Sequence, residues 1–107
     1  HDNETITGWF KIITKEERQM ARDYLCDQRT PAKELYQSFI ALVMRSSSRA
    51  CIIPMQDYMG LDNRCRMNQP STLGKNWKWR LVKGDLSEEL KEEILAVTKR
   101  YGRMNWA

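Results

Sequence analysis

The first three residues, His1, Asp2 and Asn3, set an imidazole, a carboxylate and an amide side by side. A carboxylate so placed can stabilise positive charge developing on a substrate while its neighbours hydrogen-bond hydroxyl groups, an arrangement suited to an oxocarbenium-like transition state. The same three residues also read as a polar, frayed chain terminus, and spacing alone leaves both readings open. A second polar pair, Gln56-Asp57, follows directly on an aliphatic run. Asp57 reads either as a site carboxylate at the end of a strand or as a helix cap for Tyr58 and Met59. A third cluster runs from Arg64 to Asn68 and resumes through Asn76-Trp77-Lys78-Trp79-Arg80, interleaving cations, amides and indoles. Flat aromatics beside amides suit sugar rings, whose axial C–H groups lie on the ring face and whose hydroxyls take Asn and Arg donors. The same composition stacks nucleic-acid bases. Taken singly, each tryptophan of the cluster is better read as filling the core beneath the loop.

The elements that must position these residues follow from periodicity and capping signals. Ile6, Trp9, Phe10 and Ile13 fall at spacings of a short amphipathic helix over 5–13. Thr14 with Glu17 forms a capping box for a helix over 14–25, with Met20, Ala21, Tyr24 and Leu25 on one face. Thr30-Pro31 reads as an N-cap followed by proline at the first helical position, opening a helix that runs to about Ser46. Leu35, Tyr36, Phe39, Ile40, Leu42, Val43 and Met44 cover more than one face of it, so it is expected to pack on two sides. Residues 50–54 (ACIIP) lack alternation and read as a short strand buried on both faces, closed by Pro54. Residues 55–83 break every period with glycines, asparagines and a proline, and an irregular stretch this long is usually functional. Asp85 or Ser87 caps a last helix whose stripe is Leu86, Leu90, Ile94, Val97 and Tyr101, with Gly102 suited to its C-terminus. Helix, helix, buried strand, long polar loop and helix fit the closing units of an α/β barrel, in which the loops after strands carry the chemistry.

The chain has 107 residues, 41% hydrophobic and 30% charged, with 5 Gly and 3 Pro. This is the composition of one globular unit, residues 1–107, and excludes disorder and collagen. A complete barrel needs about 250 residues, so only part of one fits. The start at His1, without an initiator Met, suggests a processed product or the downstream piece of something longer. The net charge of +4 comes wholly from the irregular stretch. There Arg64, Arg66, Lys75, Lys78, Arg80 and Lys83 face only Asp57 and Asp62, whereas twelve cations and twelve carboxylates balance elsewhere. No apolar run approaches the roughly 18 residues of a membrane span. Cys26, Cys51 and Cys65 form no C-x-x-C pair and read as reduced thiols of a cytoplasmic protein. With His1 the single histidine, a zinc site is not expected.

Taken together, HDNETITGWF at the start, IIPMQDYMGLDNRCRMNQPSTLGKNWKWRL in the middle and TKRYGRMNW at the end resemble the C-terminal part of bacterial 4-alpha-glucanotransferases, the amylomaltase or disproportionating-enzyme family. The resemblance covers nearly the whole chain. It implies an α/β fold, the closing quarter of a (β/α)8 TIM barrel, mostly helical with the eighth strand at about 50–54. It implies transfer of an α-1,4-glucan segment to another glucan or glucose with retention of configuration, through a covalent glycosyl-enzyme and without a cofactor or metal. The family's His-Asp motif falls on His1 and Asp2: Asp2 would be the third essential carboxylate, binding and distorting the sugar, and His1 would hydrogen-bond that sugar. Asn68 and Asp57 are further candidates for substrate contact. The nucleophile and the acid/base, which retaining transfer sets about 5 Å apart, would lie on earlier strands, and neither is in this chain. The isolated polypeptide is therefore expected to be inactive. Its partners would be α-1,4-glucans rather than nucleic acid or membrane, and a lone strand with an exposed edge would favour self-association.

Two other readings compete. The first is a small basic, non-catalytic module that holds single-stranded nucleic acid or glycan in the 57–83 loop. The second is a purely structural helical adaptor, which leaves the Asn, Arg and Trp density of that loop unexplained.

Overall fold

Hydroxyl side chains start three of the helices of this chain. The computed structural model describes residues 3–74, 76–82 and 84–103, and the described residues form α-helices and 3₁₀ turns without any strand. Helix α1 (Ile6–Ile12) begins where Thr5 Oγ1 accepts the Gly8 N–H, and α2 (Lys15–Leu25) where Thr14 Oγ1 accepts the Glu17 N–H. Helix α5 (Glu88–Arg100) begins at Ser87, whose Oγ accepts the Leu90 N–H; of the two caps the sequence offers, serine is the one used. Each hydroxyl satisfies an amide that the first turn leaves without an intrahelical partner. At the other end of α5, Gly102 takes φ 69°, the left-handed geometry that favours glycine.

The third helix departs from expectation. Thr30 does not cap it; its hydroxyl donates to Asp27 Oδ2 at 2.6 Å, and Pro31 precedes a 3₁₀ turn over Ala32–Glu34 instead. Helix α3 (Tyr36–Met44) then begins at Leu35, a core side chain at 1% exposure. Asp27 organises this turn by also accepting the Ser38 hydroxyl at 2.7 Å and the Thr30 N–H at 3.0 Å. These bonds hold its carboxyl well below the usual carboxylate range.

The core joins α1, α2 and α3 through Phe10, Leu25 and Leu35, with Trp9, Ile13, Ala21, Phe39 and Leu42 packed against them. Trp9 meets Phe39 edge-on at 5.9 Å between ring centroids. The guanidinium groups of Arg18 and Arg22 each stand 5.9 Å from the centre of the Phe10 ring. On α2 the expected apolar face is only half used, because Met20 and Tyr24 point to solvent at 69% and 74% exposure. The stripe of α5 is likewise half-buried throughout rather than buried.

The α/β expectation is overturned. Residues 50–54 have no regular structure, and Ile52 is 93% exposed instead of enclosed. A strand exists only within a ladder, and among the described residues no second segment pairs with this one. Without strands there is no quarter barrel: the described chain is helical. An apolar run of five residues carries no period, so sequence alone could not separate a buried strand from an unpaired apolar linker.

Candidate functional site

The polar residues of the 55–83 stretch are positioned by two short elements inside it, α4 (Met55–Tyr58) and a 3₁₀ turn over Asn63–Cys65. Both converge on the start of α1. Asp57 lies in α4, 7% exposed, and its Oδ1 accepts the Ile6 N–H at 2.8 Å. It therefore caps a helix, though α1 rather than the turn at Tyr58 that sequence suggested. Burial pushes its carboxyl above the usual value of 3.8, and the bond from Ile6 opposes that shift. Gln56, equally buried, donates from Nε2 to the Cys65 carbonyl at 3.2 Å and so fastens α4 to the 3₁₀ turn.

Asn63 completes the junction. Its Oδ1 accepts the Thr5 N–H at 3.0 Å, and its Nδ2 donates to Glu4 Oε1 at 3.1 Å. Asp62 caps the turn through the Arg64 N–H and pairs with Arg64 at 3.0 Å and Lys11 at 3.2 Å. Those cationic partners hold its carboxyl far below the usual range. No buried side-chain polar atom among the described residues lacks a partner.

His1 and Asp2 lie outside the described residues, as do Lys75 and Lys83 of the basic stretch and residues 104–107 of the closing motif. Asn3, the next residue in the chain, lines a cavity of about 430 Å³ together with Glu4, Ile6, Ile53, Pro54 and Asp57. The structure thus brings Asp57 beside the segment that follows Asp2. Asn68 stands half-buried in the succeeding loop, where its carbonyl accepts Arg66 Nε at 3.0 Å. Beyond it, Asn76 accepts the Gln69 N–H at 2.9 Å and donates to the Thr72 carbonyl at 2.8 Å, closing the 69–76 loop on itself. Trp77 is half exposed and Trp79 half-buried, so neither fills the core as expected. Trp77 also takes φ 61°, a region costly for a bulky residue, and its N–H donates to the Met67 carbonyl.

Three cations of the loop are engaged within it: Arg64 on Asp62, Arg66 on Asn68, and Arg80 on the carbonyls of Trp77 and Trp79. Among the described residues no group of three or more His, Cys, Asp or Glu side chains could hold a metal ion, and no helix is long and apolar enough to cross a membrane. Cys26, Cys51 and Cys65 are free thiols. Sequence reasoning passed over Glu4, Gly8 and Asn63 as parts of one junction. Asn63 was legible only as a period-breaker, because its partners lie 58 and 59 residues away in the chain.

The chain is similar to known proteins in sequence and in fold. The chain matches a family model described as 4-alpha-glucanotransferase over residues 1–86. It is 38% identical over 104 residues to the 4-alpha-glucanotransferase of Clostridium butyricum, covering 96% of this chain and 21% of that protein. It is 35% identical over 106 residues to that of Synechocystis sp., covering 96% of this chain and 20% of the relative. Its fold superposes with a TM-score of 0.89 on an amylomaltase from Streptococcus agalactiae solved in complex with acarbose, at 36% identity, covering 98% of this chain and 21% of that one. The chain thus spans about a fifth of the length of the relatives it matches. A family model matched over most of the chain, joined to a fold shared with a solved amylomaltase, establishes that the chain belongs to the 4-alpha-glucanotransferase family.

Proposed function

We propose that this chain supplies one side of a 4-alpha-glucanotransferase site, contributing Asp2 as a carboxylate that stabilises the oxocarbenium-like transition state and His1 as a hydrogen-bonding partner of the same sugar. The observation that carries the reading is the shared fold with an amylomaltase that binds acarbose. The substrate class is α-1,4-glucans, whose segments are passed to another glucan or to glucose with retention. The half-exposed Trp77 suits a pyranose face, and Asn68, half-buried in the same 55–83 stretch, supplies an amide for sugar hydroxyls in this reading. Asp57, buried and bonded to Ile6, supports the segment behind Asp2 from beneath. Engagement of Arg64, Arg66 and Arg80 within the loop weighs against the nucleic-acid reading.

The resemblance places nucleophile and acid/base outside these 107 residues, so the polypeptide by itself is inactive in this scheme. Incubated with maltotriose, it is expected to release no glucose and form no longer oligosaccharides; their appearance, free of contaminating enzyme, would overturn that statement. The positive test replaces the matching fifth of the Streptococcus agalactiae amylomaltase with this chain. The graft is expected to disproportionate maltotriose, and Asp2→Asn to lower its kcat by about 10²- to 10³-fold, the usual loss on removing a charge-stabilising group. A graft carrying Asp2→Asn that turns over as fast as its parent would overturn the role of Asp2.

A further inference from the structure

The segment that follows Asp2 and the loop that leads to Asn68 meet at one side chain. Asn63 uses both ends of its amide, accepting from the Thr5 N–H and donating to Glu4 Oε1. Turning the amide over would set N–H against N–H and oxygen against carboxylate, so the network fixes one orientation. The turn that carries Asn63 is itself held, since its cap Asp62 is paired with Lys11 in the last turn of α1. Gly8 leaves the room required, because a Cβ there would run into Asn63 Cγ and Oδ1. Thr5 adds to the lock: 4% exposed, it caps α1 with the same hydroxyl that lies 3.4 Å from Asn63 Oδ1.

We propose that Asn63 is a positioning residue of the transferase site, which holds Glu4 and Thr5 and thereby fixes the chain carrying Asp2 against the loop carrying Asn68. The proposal rests on the assignment of Asp2 made above. Asp2 is two residues from the clamped Glu4, within about 7 Å of extended chain, so little slack separates the carboxylate from its anchor. A misplacement of about 1 Å in a reacting arrangement lowers rates by about 10²-fold. Asn63 touches no substrate in this scheme and acts only through the segment it holds.

The test uses the amylomaltase graft and the 107-residue chain side by side. In the graft, Asn63→Ala is expected to lower kcat by about 10- to 100-fold while KM changes by less than about threefold. Asn63→Asp sets a second carboxylate against Glu4 and is expected to be as damaging. Combining it with Glu4→Gln restores one donor and one acceptor with the polarity reversed, and is expected to recover most of kcat. A scaffolding role would lower the unfolding midpoint and leave kcat per folded molecule unchanged. That outcome, or failure of the reversed pair to recover the rate, overturns the proposal. Asp2→Asn measured in parallel separates the two assignments: loss at Asp2 with none at Asn63 overturns the positioning role alone, whereas no loss at Asp2 overturns the reading on which it rests. In the 107-residue chain, exchange of the Thr5 amide is expected to quicken by about tenfold in Asn63→Ala and to slow again in the reversed pair. Unchanged exchange overturns the clamp.

Discussion

At Asp57 two effects oppose each other, and their balance sets its pH dependence. The carboxylate is nearly enclosed, which favours the protonated form, while the Ile6 N–H stabilises the charged one. Burial prevails and the folded value lies above 3.8. A carboxyl raised on folding binds its proton more readily in the folded chain, so its contribution to stability is full below 3.8 and is lost as pH rises through the folded value. Asp57→Asn keeps an oxygen for Ile6 and removes the buried charge. Urea unfolding is expected to show this variant at least as stable as the parent at pH 7, with its advantage shrinking as pH falls towards 3.8. Asp57→Ala leaves the Ile6 amide unpaired and is expected to lose about 1–3 kcal/mol. Gly8 makes the second case at this scale. Helix propensity favours alanine over glycine by about 1 kcal/mol, yet a Cβ at position 8 collides with Asn63. Gly8→Ala is therefore expected to lower the unfolding midpoint, and a rise would show that the turn carrying Asn63, backbone included, can give way without loss.

Among the elements, those with local signals were legible and those with distant partners were not. Thr14, Ser87 and Gly102 act within a few residues of where they stand, so the ends of α2 and α5 could be read from the sequence. Asp27 took Thr30 away from the helix it was expected to cap, a choice between two local bonds that spacing does not decide. The apolar run 50–54 failed for a different reason, since whether it becomes a strand depends on a partner that no local pattern encodes. In the candidate site the residue types were legible, but the Glu4–Asn63 junction was not, because it joins residues 59 apart. Arg103 shows the same kind of long-range closure at the other end of the chain. From beyond α5 its Nε donates to the Met44 carbonyl at 2.9 Å, and its terminal nitrogens to Ser48 at 2.8 Å and Ser46 at 3.1 Å. These are carbonyls that the end of α3 and the turn after it leave open, and one planar fork serves all three. Arg103→Ala is expected to lower stability by about 1–3 kcal/mol, with faster amide exchange in the last turns of α3 and α5. Arg103→Lys should recover only part of this, because an ammonium cannot reproduce the fork; full recovery would reduce the residue to a point charge.

For the whole molecule, surface area is the quantity that matters. The chain exposes 8113 Å², whereas a folded monomer of 12.7 kDa is expected to expose about 6,200 Å². Its radius of gyration of 14.9 Å likewise exceeds the roughly 13 Å of a close-packed chain of this length. Several large apolar side chains contribute to this surface: Ile52 and Leu73 are almost wholly exposed, and Val43, Val82 and Leu95 are partly so. Val43 and Ile52 line the same cavity, so two of these side chains form part of one face. An excess of about 1,900 Å² is more than the roughly 800 Å² each partner contributes to a standard interface, and exposed apolar side chains grouped on one face favour association. The isolated chain is therefore expected to sediment as dimers or larger species at tens of micromolar. Val43→Lys with Ile52→Lys should shift it towards monomer without lowering the unfolding midpoint, because neither side chain belongs to the Phe10, Leu25 and Leu35 core. In the amylomaltase graft the same pair of substitutions is expected to have the opposite consequence and reduce folded yield, the outcome that follows when an apolar face is covered by the remainder of an enzyme. A parent chain that stays monomeric at all concentrations, or a graft indifferent to both lysines, would show that the exposed face is tolerated by itself and that the unmatched four-fifths of the relatives does not cover it.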